Sequence, residues 1–170
     1  MIEGTVHATT IIGADYIDLK VIDTPGGAVL HMLRPALGLL GGQEGWMQVG
    51  EVYFSEVLPG AVKAWKRHAR QTQHFAVPAG RLGIVLCDAR ESSLTRGAVQ
   101  KLVLGRRDTY ALLRIPCGVW YGFTALGDEP ALICNVTDLP HDPEEGEKMD
   151  PDSDKADVIP FSWKHPDFAC

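Results

Sequence analysis

Short runs of aliphatic, β-branched and aromatic residues alternate with turn-forming residues along most of the chain. The runs are bounded by Gly, Pro, Asp or Asn, and 18 glycines and 11 prolines interrupt every window long enough for an amphipathic helix. The pattern predicts strands at 9–12, 16–22, 28–33, 46–54, 61–65, 74–77, 81–87, 100–104, 110–115 and 131–136. Many short strands at this spacing are typical of an antiparallel sandwich or barrel. We therefore expect a single all-β domain.

Negative charge is concentrated in one segment near the carboxyl end. The formal net charge is −6, and residues 138–157 hold nine acidic and two basic residues, so the rest of the chain is nearly neutral. This Pro-, Asp- and Glu-rich segment predicts a solvated, irregular excursion, after which residues 158–163 return to pack. Because the remainder is nearly neutral, we expect no nucleic-acid-binding surface.

Cysteine usage and the hydropathy of the chain indicate a compartment. The four cysteines include no Cys-x-x-Cys pair, which predicts neither a zinc site nor a disulfide framework. The first twenty residues lack a basic region followed by an apolar block, and no run of eighteen apolar residues occurs. We expect a cytoplasmic protein without membrane contact.

Basic side chains interrupt the stretch from Gly60 to Gly80, which otherwise resembles buried strands. Lys66 and His68 are two positions apart, so a strand places both on one face, together with Val62 in an unbroken pleat. An ammonium group in an apolar interior must be paired or lose its proton. Lys66 is therefore either solvated or chemically active.

Two spacings in the chain match the short signatures of cupin barrels. The first, Gly-x5-His-x-His-x4-Glu-x6-Gly, begins at Gly60, and the second, Pro-x-Gly-x2-His, begins at Pro116. The four positions that coordinate a metal in cupins are occupied here by Lys66, His68, Gln73 and Tyr121. One neutral imidazole beside an ammonium group cannot hold a transition metal, so we expect neither a metal nor another cofactor.

Three further runs resemble the dTDP-4-dehydrorhamnose 3,5-epimerase family of metal-free cupins. Residues 88–97 match its Asp-x-Arg-x-x-Ser-x-Thr-x-Gly, residues 115–123 match its Ile-Pro-x-Gly-x-x-His-Gly-Phe except at the His, and residues 136–138 read Val-Thr-Asp. The resemblance covers roughly residues 45–163. It implies a cupin jelly-roll barrel, normally a homodimer, that binds a nucleotide-linked 4-keto-6-deoxy sugar at its mouth.

We expect one cupin domain over residues 1–170. It is divided into N-terminal strands at 1–44, the barrel core at 45–137, the acidic excursion at 138–157 and a C-terminal segment at 158–170.

The positions that carry the family's chemistry differ in this chain. The family removes a proton alpha to the sugar carbonyl and returns one to the other face. Its base His falls on Lys66, its proton-donating Tyr on Cys134, its His of His-Gly-Phe on Tyr121 and one Lys on Gln73. The resemblance therefore indicates a divergent member with altered acid–base positions.

Three hypotheses remain open from the sequence. In the first, the protein is an epimerase whose base is a desolvated Lys66, with Tyr121 or His68 handling the other proton. In the second, it binds a nucleotide sugar or another acidic ligand without turnover, with Lys63 and Arg67 pairing phosphates. Under either hypothesis, the further candidates for substrate binding are Gln73, Glu56, Arg90 and Trp120.

The third hypothesis is a structural or partner-binding cupin whose mouth is filled by side chains. In that case His68 is simply hydrogen-bonded within a polar barrel mouth, and Tyr121 is part of an aromatic wall.

Overall fold

The computed structural model describes residues 4–33, 48–152 and 158–164. The expected boundary at 44/45, the start of the strand predicted at 46–54 and the last residues of the C-terminal segment lie outside these ranges. No helix in the described part is long and apolar enough to cross a membrane.

The described residues form thirteen strands in antiparallel sheets. They are β1 Val6–Ala8, β2 Asp15–Asp18, β3 Val21–Thr24, β4 Gly27–Leu30, β5 Glu51–Val57, β6 Val62–His68, β7 Gln73–Ala79, β8 Arg81–Asp88, β9 Val99–Gly105, β10 Ala111–Ile115, β11 Val119–Ala125, β12 Ala131–Thr137 and β13 Gly146–Lys148. Sheet A has the order β1-β2-β10-β7-β12-β5, sheet B is the separate hairpin of β3 and β4, and sheet C has the order β13-β6-β11-β8-β9. The prediction of an all-β jelly roll is confirmed.

The strand predictions differ from the structure in several parts of the chain. Residues 9–12 form a turn instead of a strand, because the Thr9 hydroxyl donates to the Ala14 carbonyl at 2.7 Å and closes a local loop. The run at 16–22 is divided between β2 and β3. β11 was not predicted as a strand, since Gly122 interrupts its apolar pattern, and β13 lies inside the acidic segment that was expected to be irregular.

The main core lies between the two large sheets. Phe75 of sheet A packs edge-on against Tyr121 and Phe123 of sheet C, with ring centroids 5.6 and 5.9 Å apart. Ile84 and Leu113 are fully buried beside them. This apolar filling forms the floor beneath a polar cavity between the sheets.

A second cluster covers the outer face of sheet C. Trp65 is 1% exposed and packs against the segment at 158–164, where Trp163 lies 5.4 Å and Phe161 6.2 Å from it, centroid to centroid. Sheet C is thus buried on both faces over part of its width, which fixes the orientation of β6.

Candidate active site

A cavity of about 250 Å³ opens between the two sheets. β6 and β11 contribute Lys66, His68 and Tyr121, and β5 of the other sheet contributes Tyr53. Residues 141–148, including β13, close one side. The three residues predicted as catalytic are therefore brought together in one cavity.

A β-bulge in β6 aims these side chains. Tyr121 pairs with Lys66 but Phe123 pairs with Lys63, so β6 has one more residue than β11 over this span. The extra residue turns Ala64 to the outer face, where a Cβ at Gly122 would lie only 2.5 Å from the Ala64 Cβ. The pleat is therefore broken before Lys66. Lys66 and His68 share one face as expected, but the unbroken pleat that would place Val62 on that face with them is not present.

His68 is the centre of a hydrogen-bonded chain. Its Nδ1 lies 2.7 Å from Oε1 of Glu145, and its Nε2 lies 3.1 Å from the hydroxyl of Tyr121. An ionised carboxylate only accepts hydrogen bonds, so Nδ1 donates to Glu145, which leaves the Nε2 lone pair to accept from Tyr121. His68 thus lies on the cavity wall with both ring nitrogens hydrogen-bonded, Nδ1 to Glu145 and Nε2 to Tyr121.

Glu145 is held ionised although its side chain is only 5% exposed. Burial raises the pKa of Glu145, but hydrogen bonds from the Arg70 backbone N–H, at 3.0 Å, and from His68 together bring it below its ordinary value. A buried carboxylate that keeps its charge stabilises positive charge on the neighbouring imidazole. Glu145 is therefore an anionic hydrogen-bond partner that orients the His68 imidazole through Nδ1.

Tyr121 is 3% exposed and remains a protonated phenol at neutral pH. Burial raises its pKa far above the ordinary value, and the nearby Tyr53 and Glu145 raise it further. Its hydroxyl is thus a hydrogen-bond donor to His68 under ordinary conditions.

Lys66 is half-buried and faces other ammonium groups. Burial lowers the pKa of Lys66, and the charges of Lys148 and Lys63 lower it further. Lys148 lies directly opposite Lys66 in the ladder between β6 and β13. Among the described residues, no carboxylate forms a salt bridge with Lys66.

The opposite wall is held by a chain of side-chain amides. The Asn135 amide donates to the Tyr53 hydroxyl at 2.8 Å and to Oε1 of Gln73 at 2.7 Å, and Gln73 donates to Gln71 at 2.6 Å. Gln73 is 1% exposed and lies behind the cavity wall, so it supports the wall instead of lining the cavity. Burial raises the pKa of Tyr53, which is also a protonated phenol.

Sequence reasoning missed Tyr53 and Glu145. Tyr53 lies in a run that simply patterns as a strand, and nothing local separates Glu145 from the other acidic residues of its segment. Cys134, the position matched to the family's Tyr, pairs with Phe54 and Ala76 on the outer face of sheet A and does not line the cavity.

Several predicted binding residues lie away from the cavity. Arg67 pairs with Glu147 at 2.6 Å on the outer face of sheet C, and its guanidinium lies 4.7 Å from the centroid of the Trp120 ring. The Lys63 ammonium donates to the backbone carbonyl of Glu56. In this structure Arg67 and Trp120 stabilise the sheet from outside, because adjacent residues of a strand point to opposite faces.

Arg90 is part of a loop clasp. Its guanidinium binds both carboxylate oxygens of the fully buried Asp88, at 2.8 and 2.9 Å, and reaches the Ile12 carbonyl at 2.7 Å. Ser93 and Thr95 each donate to Asp88 at 2.6 Å. These bonds, those of Arg90 foremost, hold the pKa of Asp88 well below its usual range. The run at 88–97 therefore stabilises a loop, and Arg90 does not line the cavity.

In the described ranges 4–33, 48–152 and 158–164, no group of three or more His, Cys, Asp or Glu side chains is arranged to hold a metal ion. Of the acid–base groups at the cavity, Glu145, His68 and Tyr121 are hydrogen-bonded to one another.

Two facing antiparallel sheets with a polar, acid–base cavity between them define a jelly-roll protein of the cupin class. A solved structure, a dTDP sugar isomerase from Desulfovibrio desulfuricans, is 52% identical, with a TM-score of 0.83 over 94% of this chain and 96% of that one. A probable low-salt glycan biosynthesis epimerase of Haloferax volcanii is 39% identical over 110 residues, 64% of this chain. A spore coat polysaccharide biosynthesis protein of Bacillus subtilis is 35% identical over 115 residues, 67% of this chain and 74% of that protein.

These similarities identify the family. The chain belongs to the dTDP-4-dehydrorhamnose 3,5-epimerase family, as a divergent member with changed acid–base positions. No protein-family model matches it. The matched region spans 65% of the length of the Haloferax protein.

Proposed function

We propose that this protein is a nucleotide-sugar epimerase that removes and returns a proton at a carbon next to a sugar ketone. The hydrogen-bonded chain from Glu145 through His68 to Tyr121, ending in a cavity that also holds Lys66, is the observation that carries the proposal. The 52% identity to a dTDP sugar isomerase supports it.

His68 is the base in this proposal. Proton abstraction needs an unprotonated nitrogen that reaches the carbon acid, and a neighbour that stabilises the charge the nitrogen gains. His68 meets both needs when the Tyr121 hydroxyl turns from Nε2 to the substrate, because Nε2 then has a free lone pair while Glu145 still accepts the hydrogen bond from Nδ1. Lys66, the base expected from the sequence, forms no salt bridge with a carboxylate in the described part of the chain. In this proposal it is not the base but lies beside the sugar carbonyl, the group that makes the neighbouring C–H acidic.

Inversion at carbon needs a second group on the other face of the sugar. Tyr53 is the candidate, since it lines the cavity from β5 of sheet A whereas His68 lines it from β6 of sheet C. Its phenol carries a proton at neutral pH, and the bond from Asn135 fixes its position. His68 would take a proton from one face and Tyr53 would deliver one to the other.

The proposed substrate is a dTDP-linked 4-keto-6-deoxy sugar. The exposed ammonium of Lys148, on the cavity wall, is available to pair with a phosphate oxygen. The choice of dTDP is supported by the Desulfovibrio relative, a dTDP sugar isomerase whose length nearly equals that of this chain.

We also propose a homodimer. β5 is an edge strand of sheet A, and its Val52 and Phe54 are 53% and 65% exposed. The hairpin of β3 and β4 is mostly exposed as well, and an isolated two-stranded hairpin is marginal in water. A second copy of the chain would cover these surfaces. The cytoplasmic location stays a prediction.

Incubation with a dTDP-linked 4-keto-6-deoxy hexose in D₂O tests the function. We expect loss of the C3 or C5 proton signal in the NMR spectrum, because each abstraction exchanges that proton with solvent. Nucleotide-sugar binding without exchange would overturn the epimerase and favour a binding module. Absence of both binding and exchange would favour the partner-binding cupin.

A further inference from the structure

We propose that Lys66 attaches covalently to the substrate, with its Nζ forming an iminium with the ketone carbon of the sugar. The inference rests on the proposed function, since it requires a keto substrate in the cavity. It goes beyond that function by assigning covalent catalysis to a side chain that stands in place of an imidazole.

The surroundings of Lys66 suit a nucleophilic amine. Lys66 and Lys148 lie opposite each other on neighbouring antiparallel strands, where like charges destabilise the ladder. The nearby carboxylates are engaged elsewhere: Glu145 with His68 at 2.7 Å, Asp142 with Arg70 at 2.7 Å and Glu147 with Arg67 at 2.6 Å. Glu51 lines the cavity from the other sheet and forms no salt bridge with Lys66.

An amine must lose its proton before it attacks a carbonyl, and two features of the site favour that loss. Half-burial of Lys66 makes its ammonium costly, and the charges of Lys148 and Lys63 add to the cost, so its pKa is lowered. Desolvation and a neighbouring cation are the established means of activating a lysine for iminium formation.

The reaction balances with the groups present. The neutral amine adds to the ketone carbon to give a carbinolamine, which takes up one proton and loses water to leave a positively charged iminium. His68 Nε2 then removes the adjacent C–H proton, and the electron pair of that bond moves to neutralise the iminium nitrogen as an enamine. Reprotonation at carbon restores the iminium, and addition of water releases the epimerised ketone, the neutral amine and the proton that was taken up when the iminium formed.

His68 and Lys66 are placed to divide these steps. They are two residues apart on β6 and both line the same cavity. One side chain can therefore hold the carbonyl carbon while the other reaches the neighbouring carbon.

Reductive trapping tests the proposal. The protein is incubated with a dTDP-linked 4-keto-6-deoxy hexose and sodium cyanoborohydride, which reduces an iminium in preference to a ketone. We expect an increase in intact mass equal to one sugar nucleotide joined through a secondary amine, and peptide mapping should locate it on Lys66. Lys66→Arg keeps the positive charge but forms no such adduct, and we expect it to lose at least 100-fold in the rate of solvent exchange at C3 or C5.

The matched control is Lys101→Arg, the same change at a lysine outside the cavity, which we expect to trap and exchange like the unaltered protein. Lys66→Met removes both the amine and the charge, so its comparison with Lys66→Arg separates the two losses, with the folding of both variants checked by circular dichroism.

Three results would overturn the proposal. The first is exchange by the unaltered protein without a trapped adduct, which sinks the iminium but leaves the epimerase intact. The second is an adduct on another lysine, and the third is full exchange by Lys66→Arg. Absence of exchange altogether overturns the proposed function itself, and the iminium falls with it.

Discussion

The Nδ1 atom of His68 lies 2.7 Å from a carboxylate oxygen of Glu145, although the two residues are 77 positions apart in the chain. The contact forms because β13, which begins directly after Glu145, pairs with the end of β6 that carries His68. A short strand within an acidic segment thus completes the acid–base chain of the cavity.

Replacing the carboxylate tests this relationship. We expect Glu145→Gln to lower kcat by on the order of 10²-fold with little change in KM, because the amide no longer stabilises the imidazolium that forms when His68 takes a proton. Steady-state kinetics on the keto sugar nucleotide measure both constants. Glu144→Gln, a change at the exposed neighbouring residue, is the control and should leave kcat unaltered. An equal kcat for both variants would remove Glu145 from the mechanism.

The role of Tyr53 can be distinguished from that of the base by comparing the exchange of the α-proton with solvent and the inversion of configuration at that carbon. In Tyr53→Phe, we expect His68 still to exchange the α-proton with solvent, whereas formation of the epimer falls at least tenfold because no acid serves the opposite face. NMR in D₂O follows exchange and product configuration in the same sample. Tyr16→Phe, outside the cavity, is the matched control. Undiminished epimer formation by Tyr53→Phe would exclude this assignment.

The clasp around Asp88 makes a stability prediction. Asp88→Asn leaves the Arg90 guanidinium without its buried partner, so we expect the free energy of unfolding to fall by about 3 kcal/mol. Urea denaturation measures the change. Asp108→Asn removes one partner of the more exposed pair with Arg81, and there we expect a loss of about 1 kcal/mol or less. Similar losses in the two variants would contradict a structural role for the clasp.

His74 makes stability depend on pH. Burial lowers its pKa to about 4 from the unfolded value of 6.5, although its hydrogen bond to the Val136 carbonyl opposes the shift. The folded state therefore binds fewer protons than the unfolded state between these values. The stability that neutral His74 contributes is fully present above pH 6.5 and is lost as the pH falls through about 4. The free energy of unfolding decreases by about 3 kcal/mol in total over this range.

His74→Asn retains an N–H donor but does not titrate in this range. We expect its unfolding free energy to be lower at pH 7, because a smaller side chain leaves a cavity, but to change less between pH 7 and pH 4.5 than that of the unaltered protein. Urea denaturation of both proteins at both pH values gives, for each protein, the change in unfolding free energy with pH. An equal change of unfolding free energy with pH in the two proteins would show that His74 does not cause the pH dependence.

The homodimer can be tested at the exposed edge of sheet A. We expect Phe54→Glu to convert a dimer to a monomer in light scattering after size-exclusion chromatography, since a buried charge opposes association there. Leu94→Glu introduces the same charge at a residue that is 93% exposed in a loop and should leave the mass unchanged. A dimer that persists in Phe54→Glu would place the interface elsewhere.

Local pattern was enough for the secondary structure and for part of the site. Short apolar runs bounded by turn residues predicted the all-β class, because the turn residues interrupt every window long enough for an amphipathic helix. Side chains of a strand alternate between two faces with a period of two, whatever the strand pairs with. The same period indicated that Lys66 and His68 point the same way. The runs at 88–97 and 115–123 were sufficient to indicate the family.

The remaining features depend on contacts that no local pattern records. The sequence by itself determined which residue types stand on β6, but strand register and the bulge before Lys66 decided that Lys66 and His68 face the cavity whereas Arg67 faces Trp120 outside. Only the tertiary structure brought Glu145 to His68, because that distance is set by how β13 returns to the sheet. Pairing between distant strands is a property of the whole chain's packing, and a window of ten residues carries no information about it.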